Sequence, residues 1–179
     1  MDVYSTKAVA RRAVVLCDAL LHQQAGVEGV RRILREHGEK GPFELVESDV
    51  EEMRAAAAVL VAVLAAPTPA AAARLLNDLL SQSTGSPRLT SHGGTTSWHL
   101  HVDGGDDAPW AEWFLASSAL SFAVLLTDHQ RFPGGLCASR TCRRPYLDVG
   151  GGSVRRFCST RCATRERVAA HRASRPPSA

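Results

Sequence analysis

Four of the five cysteines crowd into 26 residues: Cys137-Ala-Ser-Arg-Thr-Cys142, fifteen intervening residues, then Cys158-Ser-Thr-Arg-Cys162. Thiol pairs at this spacing, with the pairs a hairpin's length apart, are what two knuckles need to converge on one tetrahedral zinc ion. Disulfides are the alternative, and they require an oxidising compartment. The N-terminus, Met1-Asp-Val-Tyr-Ser-Thr-Lys7, has no charged segment leading into an apolar one, so a reducing, cytoplasmic setting is expected and zinc is preferred. With Cys137, Cys142, Cys158 and Cys162 filling every position, one structural ion would hold the fold and leave no site for activating water.

Charge is distributed as unevenly as the thiols. Residues 131–179 contain eleven arginines, no lysine and only Asp148 and Glu166 as acids, a net +9, against −6 over residues 1–130 and +3 for the whole chain. A basic module with an anionic partner is implied. Arginine outnumbers lysine 19 to 2 throughout, so arginine identity says less than its position.

The surrounding residues resemble the CGNR zinc finger family. The match covers about 40 residues: Cys137-x4-Cys142, Tyr146-Leu-Asp148, a Gly/Ser turn, Arg155-Arg156-Phe157-Cys158-Ser159, and Cys162-Ala-Thr-Arg165 with Val168 and His171-Arg172. Of the namesake tetrapeptide, Cys162 and Arg165 stand, while Ala163 and Thr164 replace Gly and Asn. The resemblance implies a bacterial transcription regulator in which the finger follows an N-terminal helical domain that senses stress or a ligand. Residues 1–130 resemble that domain more weakly, by arrangement.

A second set of candidate ligands lies upstream. Trp98, Leu100 and Val102 alternate with Ser97, His99 and His101, the pattern of a half-buried strand, and Pro87–Ser91 is its expected hairpin partner across His92-Gly93-Gly94. His99 and His101 would share one face about 7 Å apart. Histidines on such a face are expected to look into solvent, and with no carboxylate fixed beside them a second metal site ranks below that reading. A ligand pocket between the hairpin and the helices is the other expectation for this region.

Positioning these groups falls to helices. Val9, Ala13, Leu16, Cys17, Leu20 and Leu21 mark an amphipathic helix over 6–24, with Cys17 as an inert core thiol. A second segment is expected over 27–37 after Gly26, with Arg31, Arg32 and Arg35 outward. Ser48-Asp-Val-Glu51 has the form of a capping box opening a helix to about Ala66, expected to be the most buried of the set. Thr68 and Pro69 open another, with Leu75, Leu76, Leu79 and Leu80 inward. A long helix opened by Asp107 or Ala108, with Pro109 in its first turn, carries Trp110, Trp113, Phe114 and Phe122, and Arg131-Phe-Pro-Gly-Gly135 should end it and hinge to the finger. In the finger, Arg143–Phe157 would form a hairpin turning at Gly150-Gly-Gly152, followed by a helix capped by Ser159 or Thr160 and stopped at Pro176 and Pro177. The fold class is therefore mainly α: a helical domain over 1–130 with a hairpin near 87–103, then a treble-clef-like finger over 131–179.

Along the last helix Arg161, Arg165 and Arg172 lie near one face with Val168, and Arg155 and Arg156 extend the surface; Arg167, His171 and Arg175 fall on a neighbouring flank. An arginine stripe can follow phosphates and reach guanine edges, so double-stranded DNA is the expected partner, with Arg165 or Arg161 reading bases and Arg155, Arg156 and Arg172 on phosphate. The competing readings are a solvated face, or a basic surface docked on the acidic N-terminal domain. The alternative function is a protein-interaction or small-molecule-binding module with a structural zinc and no nucleic-acid partner. An enzyme is not expected, because no Ser/His/Asp grouping, phosphate-binding glycine loop or diagnostic carboxylate pair occurs. No membrane association is expected, since the richest apolar run, Ala55–Ala66, is too short to span a bilayer. An effector for the helical domain and a homodimer both remain open, and no heptad argues for the latter.

Overall fold

The computed structural model describes residues 3–82, 85–150 and 152–174. Five helices come first: α1 (Thr6–His22), α2 (Val27–Glu36), α3 (Glu47–Leu64), α4 (Pro69–Ser81) and, after a short hairpin of β1 (Arg88–Thr90) and β2 (His99–His101), α5 (Trp110–His129). A second hairpin, β3 (Gly134–Leu136) and β4 (Pro145–Leu147), and a helix, α6 (Thr160–Ala173), follow among the described residues. Both hairpins are antiparallel, with Leu89 opposite Leu100 in the first and Gly135 opposite Tyr146 in the second.

Helix starts follow local chemistry. Ser5 Oγ accepts from Ala8 N–H, Thr68 Oγ1 from Ala71 N–H and Ser159 Oγ from Cys162 N–H, each bond satisfying a donor the helix leaves open and contributing about 1 kcal/mol. The start of α3 differs from expectation. The Ser48–Glu51 box does not form; Val46 is the cap residue, and Asp49 reaches back to accept from its N–H at 2.8 Å. Valine has no acceptor, so a carboxylate one turn on closes the helix end alone.

Helix α5 runs through the middle, packed against α1, α3 and α4. By length and composition it could cross a membrane, but it buries Phe114, Phe122 and Leu125 among Leu16, Leu20, Met53, Leu60 and Leu76, as the central helix of a bundle does. Burial is most complete along α1, with eight buried residues of its 17, rather than along α3. Cys17 is among them; burial pushes its thiol up to about 12, and it donates to Ala57 O, so it is an inert core group. Arg31, expected outward, donates to Phe43 O and Leu45 O and fastens the segment before α3.

Residues 131–135 do not hinge freely. Gly134 and Gly135 form β3, and a Cβ at Gly134 would fall 2.6 Å from Tyr146 O, so the ladder requires glycine there. Phe132, Leu136 and Leu147 pack on the helical core, β3 against α3 and β4 against α1, and Arg144 pairs with Asp18 of α1 at 3.5 Å. The finger's hairpin is also not the one expected: its strands flank the first thiol pair, and the described residues of 148–157 return without strand structure. Gly151, Arg175, Pro176 and Pro177, invoked for the turn, the basic flank and the helix stop, lie outside the described residues.

Candidate metal centre and the basic helix beside it

The turn between β3 and β4 carries the first knuckle. Leu136 pairs with Pro145, then Cys137 N–H donates to Arg144 O (2.9 Å) and Cys142 N–H to Ser139 O (3.1 Å), a tight loop that aims both thiols the same way. Cys158 and Cys162 arrive from the other side at the start of α6. All four Sγ atoms lie within 4.8 Å of one another; Cys142 and Cys158 are 3.6 Å apart, Cys158 and Cys162 3.7 Å. Sulfurs about 2.3 Å from one tetrahedral zinc ion are about 3.8 Å apart, so the set fits that ion. None of the four is in a disulfide.

Their acid–base chemistry agrees. Burial raises the thiols of Cys142 and Cys158, the latter to about 12, while the Ser159 side chain holds Cys162 down to about 7. Thiols this close do not all ionise at neutral pH without a cation among them. Zinc would supply that charge, and as an ion closed by four thiolates it would supply folding free energy rather than catalysis.

A polar network braces the loop and the helix. Ser139, fully buried, donates to Glu166 Oε1 (2.7 Å) and accepts from Arg165 Nη2 (2.6 Å), which also lies 3.4 Å from Cys162 Sγ. Glu166 Oε1 accepts from Arg140 N–H as well, and these bonds hold its carboxyl below the usual range. Asp148 accepts from Arg131 Nη1 and Arg155 N–H; the Arg155 guanidinium donates to Cys158 O at 2.9 Å and lies over the Tyr146 ring. Sequence spacing did not single out Ser139 or Glu166. A serine inside the knuckle and a lone acid in an arginine-rich helix were the available signals.

The five arginines expected on DNA therefore divide. Arg155 and Arg165 are engaged within the finger. For the side chains of Arg156, Arg161 and Arg172 no hydrogen bond or ion pair occurs among the described residues, and Arg156 lies only over the Phe157 ring. All three are exposed, and of Thr160–Ala173 only Cys162 is buried. The alternative in which this face docks on the acidic domain is not what forms: the finger docks through β3, β4 and Arg144, and α6 presents its arginines to solvent.

The upstream hairpin inverts its expected orientation at Trp98 and Leu100, while Val102, expected on the same face, is buried. Trp98 (72% exposed), Leu100 and Leu89 face outward, whereas His99 and His101 face a cavity of about 860 Å³ between the hairpin, the start of α1 and α5. Alternation identified which residues share a face but not which face is inside. Asp103 decides it: the carboxylate is 2% exposed, held by Arg88 at 3.0 Å and His101 at 2.9 Å, so the polar side must turn in. The expectation that no carboxylate stands beside the histidines is thereby overturned, for Asp103 follows His101 by two residues and shares its face. The expected pocket between hairpin and helices is present. Trp110 and Trp113 line it, and Arg12, lowered by burial to about 10 and still charged, lies in its wall against Glu39 and over Trp113.

Helical unit, docked finger and converging thiols together define a zinc-finger protein with a separate cavity-bearing helical part. Comparison with known families agrees for both parts. Residues 135–175 match the CGNR zinc finger, and residues 9–129 match ABATE, the family described as "Putative stress-induced transcription regulator". The chain belongs to the ABATE family and carries a CGNR zinc finger. These are regulator and zinc-finger families, not enzyme families. No curated protein is significantly similar to the chain.

Proposed function

We propose that the protein is a cytoplasmic transcription regulator that binds double-stranded DNA through α6. The observation that carries this reading is the set of exposed guanidinium groups with no hydrogen bond or ion pair among the described residues, those of Arg161 and Arg172 on α6, whose start the four-thiol site fixes, and that of Arg156 on the segment leading to it. Arg161 meets phosphate from the first turn, as do Arg156 and Arg172 from their own positions. Arg165 and Arg155 keep the finger's shape and contribute field rather than contact. The functional division falls after residue 130, with residues 1–130 taking an effector in the cavity and the docked β3–β4 hairpin linking the two parts.

Fluorescence anisotropy of the zinc-loaded chain on a duplex, titrated with salt, tests the reading. Three phosphate contacts predict a log–log slope of about −2.7, from about −0.9 per neutralised phosphate. Absence of any duplex binding at about 50 mM salt ends it and leaves the protein-interaction or small-molecule-binding module as the function.

A further inference from the structure

The three histidines on the cavity wall form a cluster of their own. One ring nitrogen of each of His92, His99 and His101 lies within 4.8 Å of the others, and the Nε2 atoms of His99 and His101 are 3.0 Å apart. The other nitrogen of each of those two rings meets an acceptor: His99 Nδ1 is 2.7 Å from Ser97 O, and His101 Nδ1 is 2.9 Å from Asp103 Oδ2. A carbonyl only accepts, so Ser97 O assigns the hydrogen to Nδ1 of His99; on His101 the nearer, buried Asp103 carboxylate at 2.9 Å outweighs the Arg88 Nη2 donor at 3.3 Å and assigns it to Nδ1 as well. Two Nε2 lone pairs then face each other across 3.0 Å. That is repulsive unless a proton or a metal cation shares them; two imidazoles on one metal ion at about 2.0–2.1 Å are held at about this separation, and a metal ion, unlike a proton, also takes the third ring nitrogen, that of His92, lying within 4.8 Å.

The surroundings continue the pattern. His92 Nδ1 is 3.5 Å from Asp106 Oδ2, and Arg88 holds both carboxylates, Nη1 on Asp103 and Nη2 on Asp106, each at 3.0 Å. Tyr4 stacks on His99 with ring centroids 4.4 Å apart. Asp103 is buried and Asp106 exposed; a carboxylate behind an imidazole fixes the tautomer, orients the ring and raises its basicity, the arrangement found behind metal-ligating histidines.

We propose that His92, His99 and His101 bind a divalent first-row transition ion of the Zn²⁺, Co²⁺ or Ni²⁺ kind, with Asp103 and Asp106 as positioning residues. Imidazoles select these ions over Mg²⁺ and Ca²⁺, which take oxygen ligands. Three protein ligands leave coordination capacity for water or an oxygen- or nitrogen-bearing cavity ligand. This makes the helical unit a metal-binding part in its own right, and it holds whether or not the finger binds DNA.

The untagged full chain, holding one equivalent of zinc in its thiol site, is titrated with Ni²⁺ in a calorimeter. One further equivalent should bind at micromolar or tighter affinity; His99→Ala/His101→Ala should abolish it, and Asp103→Asn should weaken it about 10–100-fold. Helical circular dichroism and retained finger zinc certify each variant. Should a variant misfold, the wild type decides alone, since a bound Co²⁺ must give paramagnetically shifted signals from the three imidazoles. No second equivalent in the wild type, or binding that survives the double histidine substitution, overturns the proposal.

Discussion

The thiols of the finger and the imidazoles of the β1–β2 hairpin are assembled from opposite ingredients. Two short loops, fixed by backbone bonds such as Cys137 N–H to Arg144 O, deliver four sulfurs that enclose an ion completely and leave it no free position. The imidazoles sit on one hairpin and its turn, depend on Arg88, Asp103 and Asp106 for orientation, and open on a cavity. A closed thiolate centre holds a small unit together, whereas an open imidazole cluster on an already packed bundle is free to respond to what enters. The same contrast separates what stabilises each part: metal in the finger, apolar packing around Phe114 and Phe122 in the bundle.

The sharpest way to break that contrast is to remove zinc. Cys162→Ala or chelation should cost the finger on the order of 10 kcal/mol and release residues 134–173 to hydrogen exchange, with the helices of the bundle still protected. Loss of protection throughout α1–α5 would show that the bundle also needs the ion. The converse substitution, Phe122→Ala, should lower unfolding free energy by about 3–5 kcal/mol in thermal melts while zinc content stays at one equivalent.

Smaller effects test the joints. Gly134→Ala places a methyl 2.6 Å from Tyr146 O and should cost about 1–3 kcal/mol, read as a lower melting temperature together with faster zinc release. Glu166→Gln should do least, and only above a certain pH. Bonds from Ser139 and Arg140 depress the folded carboxyl, so its contribution is present above the unfolded value, about 4.3, and fades as pH falls through the folded one. Wild type and variant should thus differ in zinc retention at pH 7 and converge in acid. A difference that grows in acid would reverse the sign.

How much of this was legible in the sequence follows from the range of each constraint. The thiol spacing and the caps at Thr68 and Ser159 are local, and they read directly. The α3 cap did not, because Asp49 acts backwards on a valine that has no signal of its own. The face of the hairpin was misread because alternation is symmetric, and a buried Asp103 needs Arg88 from the opposite strand to explain it. The division among the finger's arginines was invisible for the same reason. Helical spacing puts Arg161 and Arg165 near one another, but only the knuckle's Ser139, 26 residues before Arg165, ties the second one into the finger.

That division is the centre of the account, and duplex binding at several salt concentrations, measured beside zinc affinity, addresses it most directly. Arg161→Ala/Arg172→Ala should flatten the log–log salt slope by about 1.8 and leave zinc affinity unchanged, whereas Arg165→Ala should weaken zinc about 10–100-fold with little change in slope at saturating metal. The reverse assignment, with the slope following Arg165 and zinc indifferent to it, would contradict the account.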